Sequence, residues 1–335
     1  MEQVAGAGIA SPKHMSKFSF DLVDETMARS FWDDSPYANV FTHPHVLSRC
    51  GGAVDWWMAW KRNRPICLWP VCRPDGTTVG LPGFFYYVGP MWSQSSHEIP
   101  VHSRMPDSTS VYEGFIVRLL ERYGTIHAQL PLGLDDVRMF DWWNYHEPEK
   151  PRFSIQPCYT ACIRGLQSLT SEGIQAAFRR VRQQELRQAR EWLSLERAVD
   201  WTSEDLTNLY GEVMGLHNIA VTSATKNQVA ALVGLVTEGM GEVVAFRDLE
   251  SGQLTSAMVL LYAKGVANVV LGMTARQFRR GGRVEAWTIY HAILAARDSG
   301  ADVFDFNGAN SPARGDNKHS YGAAAELFFE IRYPG

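Results

Sequence analysis

Toward the end of the chain the apolar positions change period twice, and the elements follow from those changes. Residues 241–248, 254–263 and 265–274 run apolar or alternate and are rich in Val, Leu and Tyr, which predicts three strands. Glu250, Ser251 and Gly252 mark the first turn between them, and Lys264 and Gly265 the second. From Val284 the period becomes helical: Ala286, Ile289, Tyr290 and Ile293 fall on one face, and Gly300 supplies a left-handed stop. Residues 302–308 alternate again, with Val303, Asp305 and Asn307 on one face and Asp302, Phe304 and Phe306 on the other.

A similar order comes earlier. Residues 35–41 and 43–50 are helix-like, with Pro44 suited to a first helical turn. Residues 56–60, 65–71 and 81–89 read as an antiparallel meander, 111–123 as a helix closed by Gly124, and 125–132 as a strand. In the second half, 203–214 is a helix with Leu206, Leu209, Tyr210 and Val213 on one face, and 226–237 is another. Helices, three strands, a helix and a strand thus occur twice. A proline-rich stretch at 147–160 separates the copies. The pattern predicts an α/β (α+β) chain of two tandem domains, 1–150 and 151–335, each a mixed, mostly antiparallel sheet flanked by helices.

Composition narrows the class. A chain of 335 residues with 45% apolar and 12% aromatic content builds a substantial core, and a net charge of −4 with pI near 6.2 excludes a surface that is basic throughout. Five cysteines, Cys50, Cys67, Cys72, Cys158 and Cys162, are odd in number and form no C-x-x-C, so neither a disulfide framework nor a zinc site is expected. No apolar run is long enough to span a membrane, and residues 1–15 lack an export pattern, so a soluble, cytoplasmic chain with a frayed start is expected.

The ten histidines are scattered and no Gly-x-Ser-x-Gly elbow occurs, which removes a Ser/His/Asp nucleophile. A reaction that joins two bound substrates needs none: orientation, removal of one proton and support of an oxyanion suffice. Residues 276–283 form an arginine-rich turn with Gly281 and Gly282 ahead of the helix. A helix start of that kind presents free N–H groups and a positive dipole end, a seat for phosphate; a solvated loop accounts for the same residues. Glu285, in the first turn, complements the dipole and would repel a pyrophosphate. Asp305, flanked by Phe304 and Phe306, reads either as a base or amine anchor with a raised pKa or as the cap of the Asn307-Gly308 turn. Arg179, Arg180, Arg182, Arg187 and Arg190 lie on one basic helix, a solvated run or a docking face for tRNA or an acidic carrier protein.

These residues carry a resemblance. Strand, Arg279-Arg280-Gly281-Gly282 turn, helix and strand resemble the donor half of the GNAT acyltransferases, although Val284 stands where their motif has Gly or Ala. The run Phe304 to Gly308, followed by Lys318, Tyr321 and Gly322, resembles the Asp-Phe-Gly-like strand and Lys-x-x-aromatic-Gly loop of the FemAB-like branch; residues 81–90, 136–142 and 158–163 also look like that family's first half. The resemblance implies tandem GNAT-like domains, the first degenerate and shaping the acceptor cleft, the second holding the donor site. It implies an N-acyltransferase that moves an acyl or aminoacyl group to the amine of a small-molecule acceptor, in natural-product or cell-envelope biosynthesis. The donor expected is a pantetheine thioester, acyl-CoA or acyl-phosphopantetheine on a carrier protein, with no bound prosthetic group. It would thread between the strand ending near Met273 and the strand beginning at Asp302, with phosphate on Arg279, Arg280, Gly281, Gly282 and Arg283. Asp305, Asn307, Lys318 and Tyr321 would form the catalytic set, Lys318 stabilising phosphate or oxyanion charge. Aminoacyl-tRNA, donor of the peptidoglycan-bridge FemAB enzymes, is the alternative, with a partner surface at Arg179, Arg180, Arg182 and Arg187. A non-catalytic, degenerate GNAT pair that only binds a ligand is the second alternative.

Overall fold

The computed structural model describes residues 17–216, 218–278 and 281–335. It opens with β1 (Phe18–Val23), α1 (Glu25–Asp34) and α2 (Pro44–Cys50). Asp24 caps α1 by accepting the Met27 amide, and Pro44 sits in the first turn of α2, where a missing N–H costs nothing. Next comes the hairpin of β2 (Ala53–Lys61) and β3 (Arg64–Arg73), whose turn residues Arg62 and Asn63 both have positive φ, the twist a tight hairpin requires. β4 (Met91–Trp92) completes a four-stranded antiparallel sheet ordered β1-β2-β3-β4. After α3 (Gln94–His97), the long α4 (Val101–Tyr123) buries Val111, Phe115, Ile116 and Leu119. Gly114 is required there, because a Cβ would lie 2.1 Å from the Phe20 ring.

The rest builds one larger sheet. In chain order come β5 (Ile126–Gln129), α5 (Arg138–Asp141), β6 (Ser154–Arg164), α6 (Ser171–Ala176), α7 (Arg180–Trp192) and β7 (Leu195–Arg197). Then follow α8 (Ser203–Gly215), α9 (Ser223–Thr237), β8 (Gly241–Asp248), β9 (Leu254–Ala263), β10 (Val266–Thr274), α10 (Arg283–Asp298), β11 (Val303–Asp305), α11 (Pro312–His319) and β12 (Ala324–Tyr333). Eight strands pair in the order β5-β12-β6-β11-β10-β9-β8-β7, all antiparallel except β10 with β11, which α10 connects. The expected class, α/β with mixed and mostly antiparallel sheets, is what the chain forms.

Three local expectations are corrected. Residues 81–89 are not a strand: Phe84 and Tyr87 have positive φ, which no ladder tolerates, and the segment instead runs between the two sheets. The strand at 125–132, read as closing the first copy, is β5 and pairs with β12 at the edge of the large sheet. The loop expected around Lys318 is helical, as α11. One hydrophobic cluster crosses both halves, holding Phe41 and Phe115 together with Leu232, Val270 and Phe328, and a second lies beneath α10 around Ile289, Ile293 and Phe304. No helix among the described residues is long and apolar enough to cross a membrane.

Candidate active site

β10 and β11 run in register only from Val266↔Val303 to Asn268↔Asp305. Past that pair they part. β10 carries a bulge between Val269 and Leu271, and the β11 chain turns away through Asn307 and Gly308, both with positive φ. The fork is pinned by the Asn307 side-chain amide, which donates to the Val269 carbonyl at 2.8 Å. Beyond it opens a cavity of about 630 Å³, walled by 269–273 of β10 including Met273, by Asn307, by Tyr210 of α8, and by Lys318 of α11. The first half of the chain contributes Phe84 and Tyr86.

Lys318 Nζ donates to the carbonyls of Asn307 and of Gly308, the latter at 2.6 Å. Burial lowers its pKa to about 8, against the opposing pull of Asp305. Two buried polar atoms of cavity-lining residues, Asn307 Oδ1 and Tyr321 Oη, have no hydrogen-bond partner among the described residues. The Tyr321 ring stacks on Phe306, and burial raises the pKa of its hydroxyl.

Asp305 is placed differently from the other three. It is 1% exposed and lies beneath the cavity, its carboxylate accepting from Tyr87 Oη at 2.8 Å, from Thr160 Oγ1, and from the Asn307 amide at 2.8 Å. Burial pushes its carboxyl up while these bonds hold it down. Its oxygens are engaged by the protein, so it shapes the Asn307 turn and ties residues 81–89 to the large sheet.

The start of α10 also departs from expectation. Gly281 and Gly282 have the positive φ of a close-approach turn, but what approaches is Glu185: a Cβ on Gly282 would meet its Oε1 at 2.6 Å. Glu185 pairs with Arg182 at 2.7 Å, and Glu285 accepts from Asn317 at 2.8 Å, so two carboxylates flank the helix start. Arg283 faces away from the cavity, with Nε on Gln188 at 2.8 Å and its guanidinium over the Trp192 ring. Arg279 and Arg280 lie outside the described residues.

On α7 the expected basic face is partly engaged by the neighbouring helix, at an exposed pair through Arg179 and a half-buried one through Arg182. Arg179 pairs with Asp316 at 2.5 Å, and Arg182 donates to Asn317 and Ser320, both docking α7 on α11. Arg180 and Arg187 are exposed, and among the described residues nothing pairs with them. The sequence reading missed Tyr87, Thr160, Glu185 and Arg314. Arg314 alone had a local signal, standing one helical turn before Lys318 behind Pro312, a residue common at helix starts.

No protein-family model matches this chain, and no curated protein matches it. Solved structures do. FemX superposes with a TM-score of 0.55 at 11% identity, covering 93% of this chain and 96% of that one. L-PGS from Bacillus licheniformis gives 0.54 at 13% identity, covering 92% and 91%. A tandem GNAT protein from the clavulanic acid biosynthesis pathway, solved without AcCoA, gives 0.51 at 10% identity, covering 94% and 97%. Coverage is nearly complete on both sides, so the likeness concerns the whole two-part architecture: this chain has the tandem GNAT-like fold that FemX and these proteins share.

Proposed function

We propose that this chain is an N-acyltransferase of the GNAT and FemAB-like kind, which moves an acyl or aminoacyl group from an activated donor to the amine of a small-molecule acceptor. The observation that carries the reading is the fork between β10 and β11, with the unpartnered Asn307 Oδ1 and Tyr321 Oη in a cavity walled by both halves. Buried polar atoms left without partners are costly, and a polar substrate satisfies them. The acceptor amine attacks the donor carbonyl, forming the C–N bond and an oxyanion; collapse restores the carbonyl and expels the thiol or ribose hydroxyl, which takes up the proton the amine loses. Lys318 supplies positive charge to the oxyanion, and Asp305 acts as a positioning residue that holds the Asn307 turn.

Glu185 and Glu285 favour a donor that places no phosphate at Gly282. A pantetheine phosphate seated at Gly282 would meet Glu285 and the Arg182-paired Glu185, whereas a charged tRNA needs no phosphate at Gly282, and Arg180 and Arg187 are free to meet its backbone. Aminoacyl-tRNA is therefore our first donor, and the thioester, on CoA or a carrier protein, the second. The likeness to a tandem GNAT protein described with respect to AcCoA supports that second reading.

The test is a donor matrix. The full chain is incubated with a pool of charged tRNAs or a panel of acyl-CoAs, each with a panel of primary amines, and amides are sought by mass spectrometry. We expect amide formation with charged tRNA that declines steeply toward roughly 0.2 M salt, as counterion release requires. Amide from acyl-CoA alone would reverse the donor order, and none from either would remove the proposed reaction.

A further inference from the structure

α11 places Arg314 one helical turn before Lys318, so both side chains stand on the same face, and both wall the cavity. They are not used alike. Lys318 spends its donors on two carbonyls of the Asn307-Gly308 turn. Arg314 is exposed at the mouth, and no hydrogen bond or ion pair engages it among the described residues. The aromatic walls stand beside it: Phe84 and Tyr210 meet edge to face with centroids 5.7 Å apart, and Tyr86 Oη approaches Gly308 closely enough to exclude a side chain there. Phe84, Tyr86, Tyr210 and Arg314 all wall the same cavity, so the guanidinium and the aromatic faces border one space.

Two cations on one helix face repel, and an unengaged guanidinium presents a planar fork of donors suited to an oxyanion. The charge that fits is a single one, because Glu285 also lines the cavity and Asp305 lies beneath it. We infer that Arg314 is the specificity residue for an acceptor that carries a carboxylate on an aromatic or flat apolar body. The inference names the acceptor class for the cavity assigned above and rests on that reading. In this arrangement the carboxylate lies on Arg314 at the mouth, the body between Phe84, Tyr86 and Tyr210, and the amine toward Asn307 and Lys318. The second cation near the anion supports the charge without contacting it.

Binding without donor tests this independently of turnover. Titration calorimetry of the full chain compares L-phenylalanine, L-tyrosine and 4-aminobenzoate with their carboxamides, and with phenyl phosphate. At least one acid should bind, with its amide weaker by roughly 10- to 100-fold, the range of one charge-assisted contact. R314Q, at an exposed position without partners, should keep the wild-type melting temperature and abolish the difference. Equal binding of acids and amides, undiminished acid binding by R314Q, tighter binding of phenyl phosphate, or no acid bound at all would each overturn the inference. Failure of the donor matrix alone would remove the reaction and leave the acid-to-amide difference standing.

Discussion

Lys318 ties the chemistry of single residues to a measurable pH dependence. Burial lowers its pKa from 10.5 to about 8. Between those values the unfolded chain holds a proton that the native chain has released, so stability rises with pH there. Below about pH 8 both states are protonated and the full cost of burying the ammonium is present. Lys318→Met removes the titrating group. The variant should melt above wild type near pH 7, by an amount on the order of 2 kcal/mol once the lost carbonyl bonds are discounted, and the gap should close as pH rises through 8 toward 10.5. Melting curves at a series of pH values decide it; a gap independent of pH would mean that the amine titrates normally. If the oxyanion role holds, the same variant loses turnover by roughly 100-fold or more. Asp305 differs in kind, because its oxygens face protein donors and its raised pKa comes from being sealed beneath the cavity.

At the scale of elements, the packing of α7 against the start of α10 separates this molecule from the simplest donor model. Gly282 combines a φ of +66° with a Glu185 carboxylate in the space a side chain would fill. Gly282→Ala should cost about 1–3 kcal/mol, from the left-handed backbone and the forced displacement of Glu185. Adding Glu185→Ala should recover the clash and leave the backbone cost, and thermal melts of the single and double variants separate the two. A double variant that recovers nothing relative to Gly282→Ala would show that α7 does not press on the turn. β8, β9, β10 and α10 were legible because their patterns are local: three strands that are nearly continuous apolar runs bounded by turn residues, and a helix with one buried stripe, declare themselves along the chain. The segment 81–89 misled for the opposite reason. Its aromatic residues, rich as those of a strand, serve to fill the space between the sheets, with Tyr87 reaching Asp305 and Phe84 reaching Tyr210. α11 was hidden because only Gly315 of its eight residues is buried, so it carries no apolar period. In the site, Met273, Asn307, Lys318 and Tyr321 came from contiguous motifs and meet in one cavity. Arg314 comes to the cavity with α11, and Glu185 comes to its border at Gly282 with α7, through tertiary docking that no spacing along the chain encodes.

For the whole molecule, the two halves read from the sequence meet in one core and one shared sheet. β5 lies before residue 150, yet it pairs with β12 through Ile126↔Tyr333 and Gln129↔Glu330. Arg49 reaches from α2 to Glu238 after α9 at 2.7 Å, Gln228 donates to the Gly83 carbonyl at 2.8 Å, and Lys264 to the Asp33 carbonyl at 2.7 Å. The cluster containing Phe41, Phe115, Leu232 and Phe328 would be cut through by a division at 150/151. Separating the halves there leaves β12 as an unpaired edge and exposes apolar surface on both pieces, a combination that favours aggregation over folding. Expressed alone, 1–150 and 151–335 should each lack a cooperative thermal transition by circular dichroism and elute as aggregates, whereas the full chain melts in one step. Co-expression should restore a complex, because the buried surface between the pieces is that of a core. If instead both pieces melt cooperatively on their own, the halves are independent domains, and the cavity between Phe84 and Lys318 becomes a cleft that can open by hinge motion around residues 147–153, ahead of β6.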